Sequence, residues 1–307
     1  MGEKKGIQAI LDNAYAQARQ VLGEGRVASY IPELAKADPS NLGACVLLQD
    51  GTEYDVGDFN IPFTMQSISK TFSLIQALQT AGYEKVFSIV GMEPTGDSFD
   101  SILQLEQKDW RPFNPLINAG AIAVVSAIEG ENIFEEFVEL VQKLCGDDKI
   151  MLNENVYHSE DMTGNRNRSI AYLLESRNVL QRPPVETLDD YFRMCSVMVT
   201  AKNLAHYARV LANDGIDPGT GERLVDSDIV RTVKTLMLFC GMYDESGQYA
   251  MKVGMPSKSG VGGGIVAVGR DGSGIATYGP VLNKKGNSVG GIRIMEILSR
   301  ELETYIF

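Results

Sequence analysis

The chain has 307 residues, 44% of them hydrophobic and 22% charged, enough apolar material for one large domain or two lobes. Lys and Arg total 28 against 40 Asp and Glu, and the resulting charge of −12 repels phosphate backbones and anionic lipid headgroups alike. No nucleic-acid partner and no membrane partner is therefore expected. The basic runs, Lys4–Lys5 and Lys284–Lys285, are only pairs.

In chain order, Ile7, Ile10, Leu11, Ala14, Ala18, Val21 and Leu22 mark one face of a first helix that stops at Gly23. Tyr30 follows in a loop. Residues 43–49 read as a buried strand, Asp50-Gly51 as a two-residue type I′ turn, and 53–59 as the returning strand. From Ser67 to about Leu238 the pattern is helical, clearest at 71–81, 119–125, 133–144 and 202–213. Strand signals return at 249–253, 264–268 and 274–278, and a final helix is predicted over 291–307. The fold class is thus α/β (α+β): a five-stranded antiparallel sheet flanked by the terminal helices, with a large inserted helical lobe. One domain, 1–307, is expected, with an α/β lobe of about 1–65 and 247–307 and a helical lobe of about 66–246. Sites on such a layout lie in the cleft between lobes.

Cys45, Cys145, Cys195 and Cys240 show no paired spacing, and with only His158 and His206 no zinc-type cluster can be written. The expectation is four reduced thiols, no metal and no cofactor. No signal-peptide pattern is present, and the apolar run 119–128 is too short to span a bilayer, so a cytoplasmic protein is expected.

Two short motifs carry chemistry. Ser67-Ile68-Ser69-Lys70 is Ser-x-x-Lys at the start of a helix, where residues three apart share a face and an amine can reach a hydroxyl. A buried lysine lowers its pKa and becomes a base, and the N–H groups at a helix start favour a developing anion. Lys258-Ser259-Gly260, after the first returning strand, resembles the Lys-Ser/Thr-Gly element of penicillin-recognising serine hydrolases. A dinucleotide-binding reading of Gly262-x-Gly264-x-x-Ala267 fails, because the stretch precedes a strand instead of joining a strand to a helix.

A closer resemblance is carried by longer blocks. Gln66 to Lys70, Asn114 to Ile122, Ser159-Glu160 through Thr163 to Asn167, Cys240 to Asp244 and Lys258 to Val261, with Tyr30 to Ala35 before them, are similar to the signature blocks of the serine-dependent glutaminase family. Their order and spacing agree over almost the whole chain. The resemblance implies a β-lactamase/DD-peptidase-like fold and hydrolysis of L-glutamine to L-glutamate and ammonia. It also implies Ser67 as nucleophile, Lys70 as its base, and Tyr30 and Tyr243 close to that serine. Asn118, Glu160, Asn167 and Tyr191 match positions that hold the amino-acid end of the substrate, and Val261 the backbone position at the amide end. A homodimer or homotetramer is implied by the same resemblance.

The chemistry asks for these groups. An amide is a poor electrophile, so the serine must lose its proton as it attacks, and the oxyanion needs donors, which the Ser67 and Val261 backbone N–H groups can supply. The leaving ammonia takes a proton from Lys70 or Tyr243. Glu160 suits the ammonium of a free amino acid, and Asn118, Asn167 and Tyr191 can donate to its carboxylate. Which residue holds which end is not fixed by sequence. No Ser-x-Asn element is evident between the two short motifs. A β-lactamase or peptidase-like serine hydrolase of the same fold, and an amino-acid sensor without turnover, are the competing readings.

Overall fold

The computed structural model describes residues 6–102 and 111–307; the Lys4–Lys5 pair lies outside them. Five antiparallel strands form the main sheet, in the spatial order 53–57, 43–47, 274–278, 264–268, 257–259. Alternation builds two cores. Ala44, Val46, Ile265, Ala267 and Ile275 face the terminal helices Ile7–Arg19 and Val289–Glu301, through Leu11, Ala14, Ile294 and Leu298. Cys45, Leu47, Val266, Val268 and Ala276 face the larger core shared with the helical segments. The helix Ala201–Ala212 lies on that second face. It comes so close to the strand 274–278 that a Cβ on Gly274 would sit 1.9 Å from the Ala205 carbonyl.

Four local expectations are corrected. Residues 249–253 are not a strand: Ser246–Lys252 is a helix. Tyr249 and Val253, four apart, bury one face, whereas Met251 and Lys252 are exposed. The edge strand is Ser257–Ser259, so Lys258-Ser259 belongs to it instead of following it. At Asp50-Gly51 only Gly51 has positive φ, +91°, and Gly51 N–H bonds to the Leu48 carbonyl at 3.0 Å. That is a turn closed by a glycine bulge and not a type I′ pair. The last helix ends at Glu301; Glu303 takes a φ of +54°, and Ile306 N–H then bonds to the Gly254 carbonyl.

Two short ladders, lacking the length for a periodic signal, position the site. Arg26–Val27 pairs with Val281–Leu282 and leads into Tyr30. Phe63–Thr64 pairs with Met198–Val199 and fixes the chain just before Ser67. Among the described residues no helix is long and apolar enough to cross a membrane.

Candidate active site

Ser67 does not open the α-helix. It lies in a 3-10 turn, Gln66–Ile68, and the helix Ser69–Thr80 follows, with Lys70 in its first turn. The turn is held in an unusual shape, since Gln66 has φ +48° without being glycine. Met65 N–H bonds to the Val197 carbonyl on one side. On the other, the glycine-rich stretch presses against it. A Cβ on Gly260 would stand 2.4 Å from the Met65 carbonyl, and one on Gly262 2.3 Å from that of Thr64. The glycines therefore serve close approach of two backbones beside the serine.

Four helices bring the other residues to the same place. Asn118 begins the helix Asn118–Ala127, and its N–H bonds to the Phe99 carbonyl at 2.9 Å. Glu160 sits in the helix Glu154–Thr163, which Asn153 caps by accepting from Val156 N–H. Asn167 and Tyr191 come from the helices Asn165–Ser176 and Pro184–Cys195. Ser67, Asn118, Glu160, Asn167, Tyr191 and Val261 then line one cavity of about 260 Å³, suited to a small free metabolite. Tyr30 stands at the same cavity with 56% of its surface exposed. Lys70 and Tyr243 lie behind the wall: Lys70 is 1% exposed and reaches the site through Asn118, to whose Oδ1 its Nζ donates at 2.6 Å. Asn118 Nδ2 in turn donates to Asn167 Oδ1 at 3.0 Å, so the amine and the two amides form one chain.

Tyr243 lies near the serine. Its phenol donates to the Ser259 carbonyl at 3.4 Å, and it lies near enough to the Ser67 hydroxyl and the Val261 N–H for both to favour its ionised form, against the larger effect of burial. Its ring belongs to an apolar cluster with Ala28, Ile31, Val261 and Leu282, and Phe99 packs on it at 4.7 Å.

The electrostatics follow from burial. Removal from water lowers the Lys70 pKa from 10.5 to about 8, opposed by nearby acids that include Glu160. It raises that of Glu160 from 4.5 to about 8, opposed by a hydrogen bond from Gln66 and by the Lys70 charge. Gln66 Nε2 donates to Glu160 Oε2 at 3.5 Å, tying the carboxylate to the turn that carries Ser67. Burial pushes Tyr243 and Tyr191 up, so both stay neutral phenols at pH 7. The site thus holds an amine that can be unprotonated near neutrality, one helical turn from a serine, together with a carboxyl group that an incoming ammonium can ionise and amides for a zwitterion.

Sequence reasoning missed part of the wall. Gln66 and Arg166 lie inside the blocks quoted above, which was the available signal. Phe99, Asp100 and Cys195 arrive from distant segments with no local pattern to mark them. Arg166 Nε donates to the Asp100 carbonyl at 2.9 Å and so ties these two segments together.

Several known proteins are similar to this chain in sequence and architecture. The chain is 48% identical over 305 residues to a glutaminase of Clostridium tetani, covering 98% of this chain and all of that one. It is 47% identical to glutaminase 2 of Clostridium perfringens, over 99% of this chain and all of the relative. A probable glutaminase of Bacillus subtilis superposes with a TM-score of 0.92 at 38% identity, over 98% of this chain and 97% of the other. A Bacillus subtilis glutaminase in covalent complex with 5-oxo-L-norleucine, formed by reaction with 6-diazo-5-oxo-L-norleucine, superposes with a TM-score of 0.90 at 37% identity, over 98% of this chain and all of the other. These bacterial glutaminases have the β-lactamase-like fold. With the glutaminase family model matching residues 25–307 as well, this chain belongs to the glutaminase family.

Proposed function

We propose that the protein hydrolyses the side-chain amide of L-glutamine to L-glutamate and ammonia through an acyl-enzyme on Ser67. The observation that carries the serine assignment is Ser67 in one cavity with Glu160, Asn118 and Asn167, where Asn118 is hydrogen-bonded both to Asn167 and to the buried Lys70 amine. The covalent complex of the Bacillus subtilis relative with a diazo-ketone-derived ligand supports a nucleophile in that protein, and the shared fold extends the reading to this one.

In this reading the glutamine ammonium meets Glu160, and its carboxylate meets Asn118, Asn167 and Tyr191. Ser67 Oγ attacks the amide carbon while its proton passes to Lys70, with Tyr243 as relay. The backbone N–H groups of Ser67 and Val261 receive the oxyanion. Collapse breaks the C–N bond, and ammonia leaves with a proton returned from Lys70 or Tyr243. Water then attacks the ester, giving its proton to the same base, and glutamate departs with Ser67 restored. Tyr30 closes the mouth of the cavity. The family resemblance supports a single catalytic domain working in the cytoplasm as a homodimer or homotetramer; light scattering on the purified protein tests the assembly.

The decisive experiment is labelling with 6-diazo-5-oxo-L-norleucine, followed by intact mass and peptide mapping. One equivalent on Ser67, with no label on a folded Ser67→Ala variant that also releases no ammonia, is the expected result. Label on another residue, or turnover by Ser67→Ala, would reject the acyl-enzyme.

A further inference from the structure

Three successive backbone carbonyls around Tyr243 are each held by a side chain. Asn287 Nδ2 donates to the Met242 carbonyl at 3.2 Å, Ser246 Oγ to that of Tyr243 at 2.8 Å, and Lys285 Nζ to that of Asp244 at 2.9 Å. Asn287 and Lys285 belong to one loop, 283–287, between the strand Val281–Leu282 and the last helix. The same Asn287 amide nitrogen donates to Glu245 Oε2 at 2.7 Å, and Asn283 Nδ2 donates to that oxygen at 2.9 Å. Glu245 ends the 3-10 turn that Tyr243 begins. Side chains therefore stitch the loop to the turn from one end to the other.

The loop is also closed on itself. Asn283 Oδ1 accepts from the Lys285 and Asn287 N–H groups at 2.9 and 3.1 Å, and Asn283 N–H donates to the Asn287 carbonyl at 2.8 Å. An asparagine bonded back to the following backbone in this way stiffens a loop, which makes it a fixed anchor. Gly286, with φ +88°, brings the loop to the Tyr243 ring: a Cβ there would stand 3.6 Å from Cε2.

Tyr243 needs such an anchor. Its φ of +56° lies in the left-handed region, which a bulky residue keeps only where its neighbours hold it. Its hydroxyl reaches the Ser259 carbonyl at 3.4 Å, too long a bond to fix the ring, so the backbone beneath must set the aim. Asn287 is 0% exposed, and among the described residues its Oδ1 has no partner. A buried amide that engages its N–H groups while its own carbonyl stays unsatisfied is held there for its donors, at a cost in stability.

We propose that Asn287 and Glu245 are positioning residues for the glutamine reaction, clamping the turn that carries Tyr243 and so setting where its hydroxyl stands relative to Ser67. The inference rests on the assignment of Tyr243 to that reaction. Neither residue is among the described residues that line the substrate cavity, so loss of the clamp acts on turnover and leaves glutamine binding nearly untouched. A shift of about 1 Å in a reacting group can cost about a hundred-fold in rate.

Glu245→Ala, Glu245→Gln and Asn287→Leu in the full chain test the clamp, with urea unfolding recorded for each. Gln keeps an acceptor for both asparagine amides and lacks only the charge. Leu has nearly the shape of Asn and removes its donors together with the unpartnered oxygen. Folded Glu245→Ala and Asn287→Leu are expected to lower kcat about ten-fold or more, with KM for glutamine within about three-fold of wild type. Glu245→Gln should keep kcat within about two-fold, and in a Tyr243→Phe background Glu245→Ala should add less than about two-fold. Glu245 is only partly buried, so its variants decide the result if Asn287→Leu does not fold. A wild-type kcat in folded Glu245→Ala, a rise in KM alone, an equal loss in Glu245→Gln, or fully additive losses in the double variant overturns the inference alone. Wild-type turnover by Tyr243→Phe overturns the parent assignment of Tyr243, and this inference with it.

Discussion

Replacing Lys70 by Met separates what the amine does for the reaction from what it costs the fold. Lys70 is fully buried, and among the described residues it has no ion-pair partner, only the 2.6 Å hydrogen bond to Asn118. Burial takes its pKa from 10.5 to about 8. Between those values the folded protein binds fewer protons than the unfolded chain, so the Lys70 contribution to stability rises with pH across that window. Below about pH 8 the whole penalty stands, and 2.5 units correspond to about 3 kcal/mol. Methionine removes that penalty but leaves Asn118 Oδ1 without its donor, which costs about 1–3 kcal/mol. The difference is a gain of about 0–2 kcal/mol at pH 7. Urea unfolding followed by circular dichroism, at neutral pH and again near pH 10, measures it. The variant should be at least as stable as wild type at neutral pH and lose that advantage at the alkaline end, while ammonia release disappears. A pH-independent loss of more than about 2 kcal/mol would refute the assignment of Lys70 as a desolvated amine. Retained turnover would remove it as the base.

The pH–rate profile of the wild type should rise about ten-fold between pH 7 and 9, as the free-base fraction of a group with pKa about 8 goes from one-tenth to nine-tenths. Lys70→Arg should abolish this limb together with nearly all activity, because guanidinium does not deprotonate; an unchanged limb passes the role to a tyrosine. Glu160, raised by burial to about 8, is mostly neutral in the free protein at pH 7, so binding a glutamine ammonium there should release a proton. Calorimetry in two buffers of different ionisation enthalpy reads that proton, and identical heats count against Glu160. Glu160→Gln should raise KM for glutamine about ten- to hundred-fold, the equivalent of 1.5–3 kcal/mol for a hydrogen bond to charge, with a smaller effect on kcat. Gly260→Ala places a methyl group 2.4 Å from the Met65 carbonyl and must push the edge strand away from the turn of Ser67. A loss of about 1–3 kcal/mol with a fall in kcat is expected, and wild-type behaviour in both would show that the close approach is unimportant.

The sequence alone determined whatever repeats at short range. The short, β-rich and mainly apolar runs at 43–47, 264–268 and 274–278 specify strands buried on both faces, and the 3.6-residue period of 7–19 and 202–212 specifies the helices that cover them. The long blocks around Ser67, Asn118, Glu160 and Lys258 were legible because they are contiguous in the chain. Tertiary structure decided the rest. Tyr249 and Val253 are β-prone residues, yet they form a helix because their shared face has a core to fill between the sheet and the last helix. The turn at Gly51 became a bulge through the register of its flanking strands, which no dipeptide records. At the site, the sequence could name Ser67 and Lys70 but not the path between the amine and the cavity, which runs through Asn118 from another helix. Nor could it show that Lys258, three residues before Val261, is buried against the ring of Tyr243. These contacts join segments far apart in the chain, and they exist only because several helices and the edge of a sheet meet around one cavity.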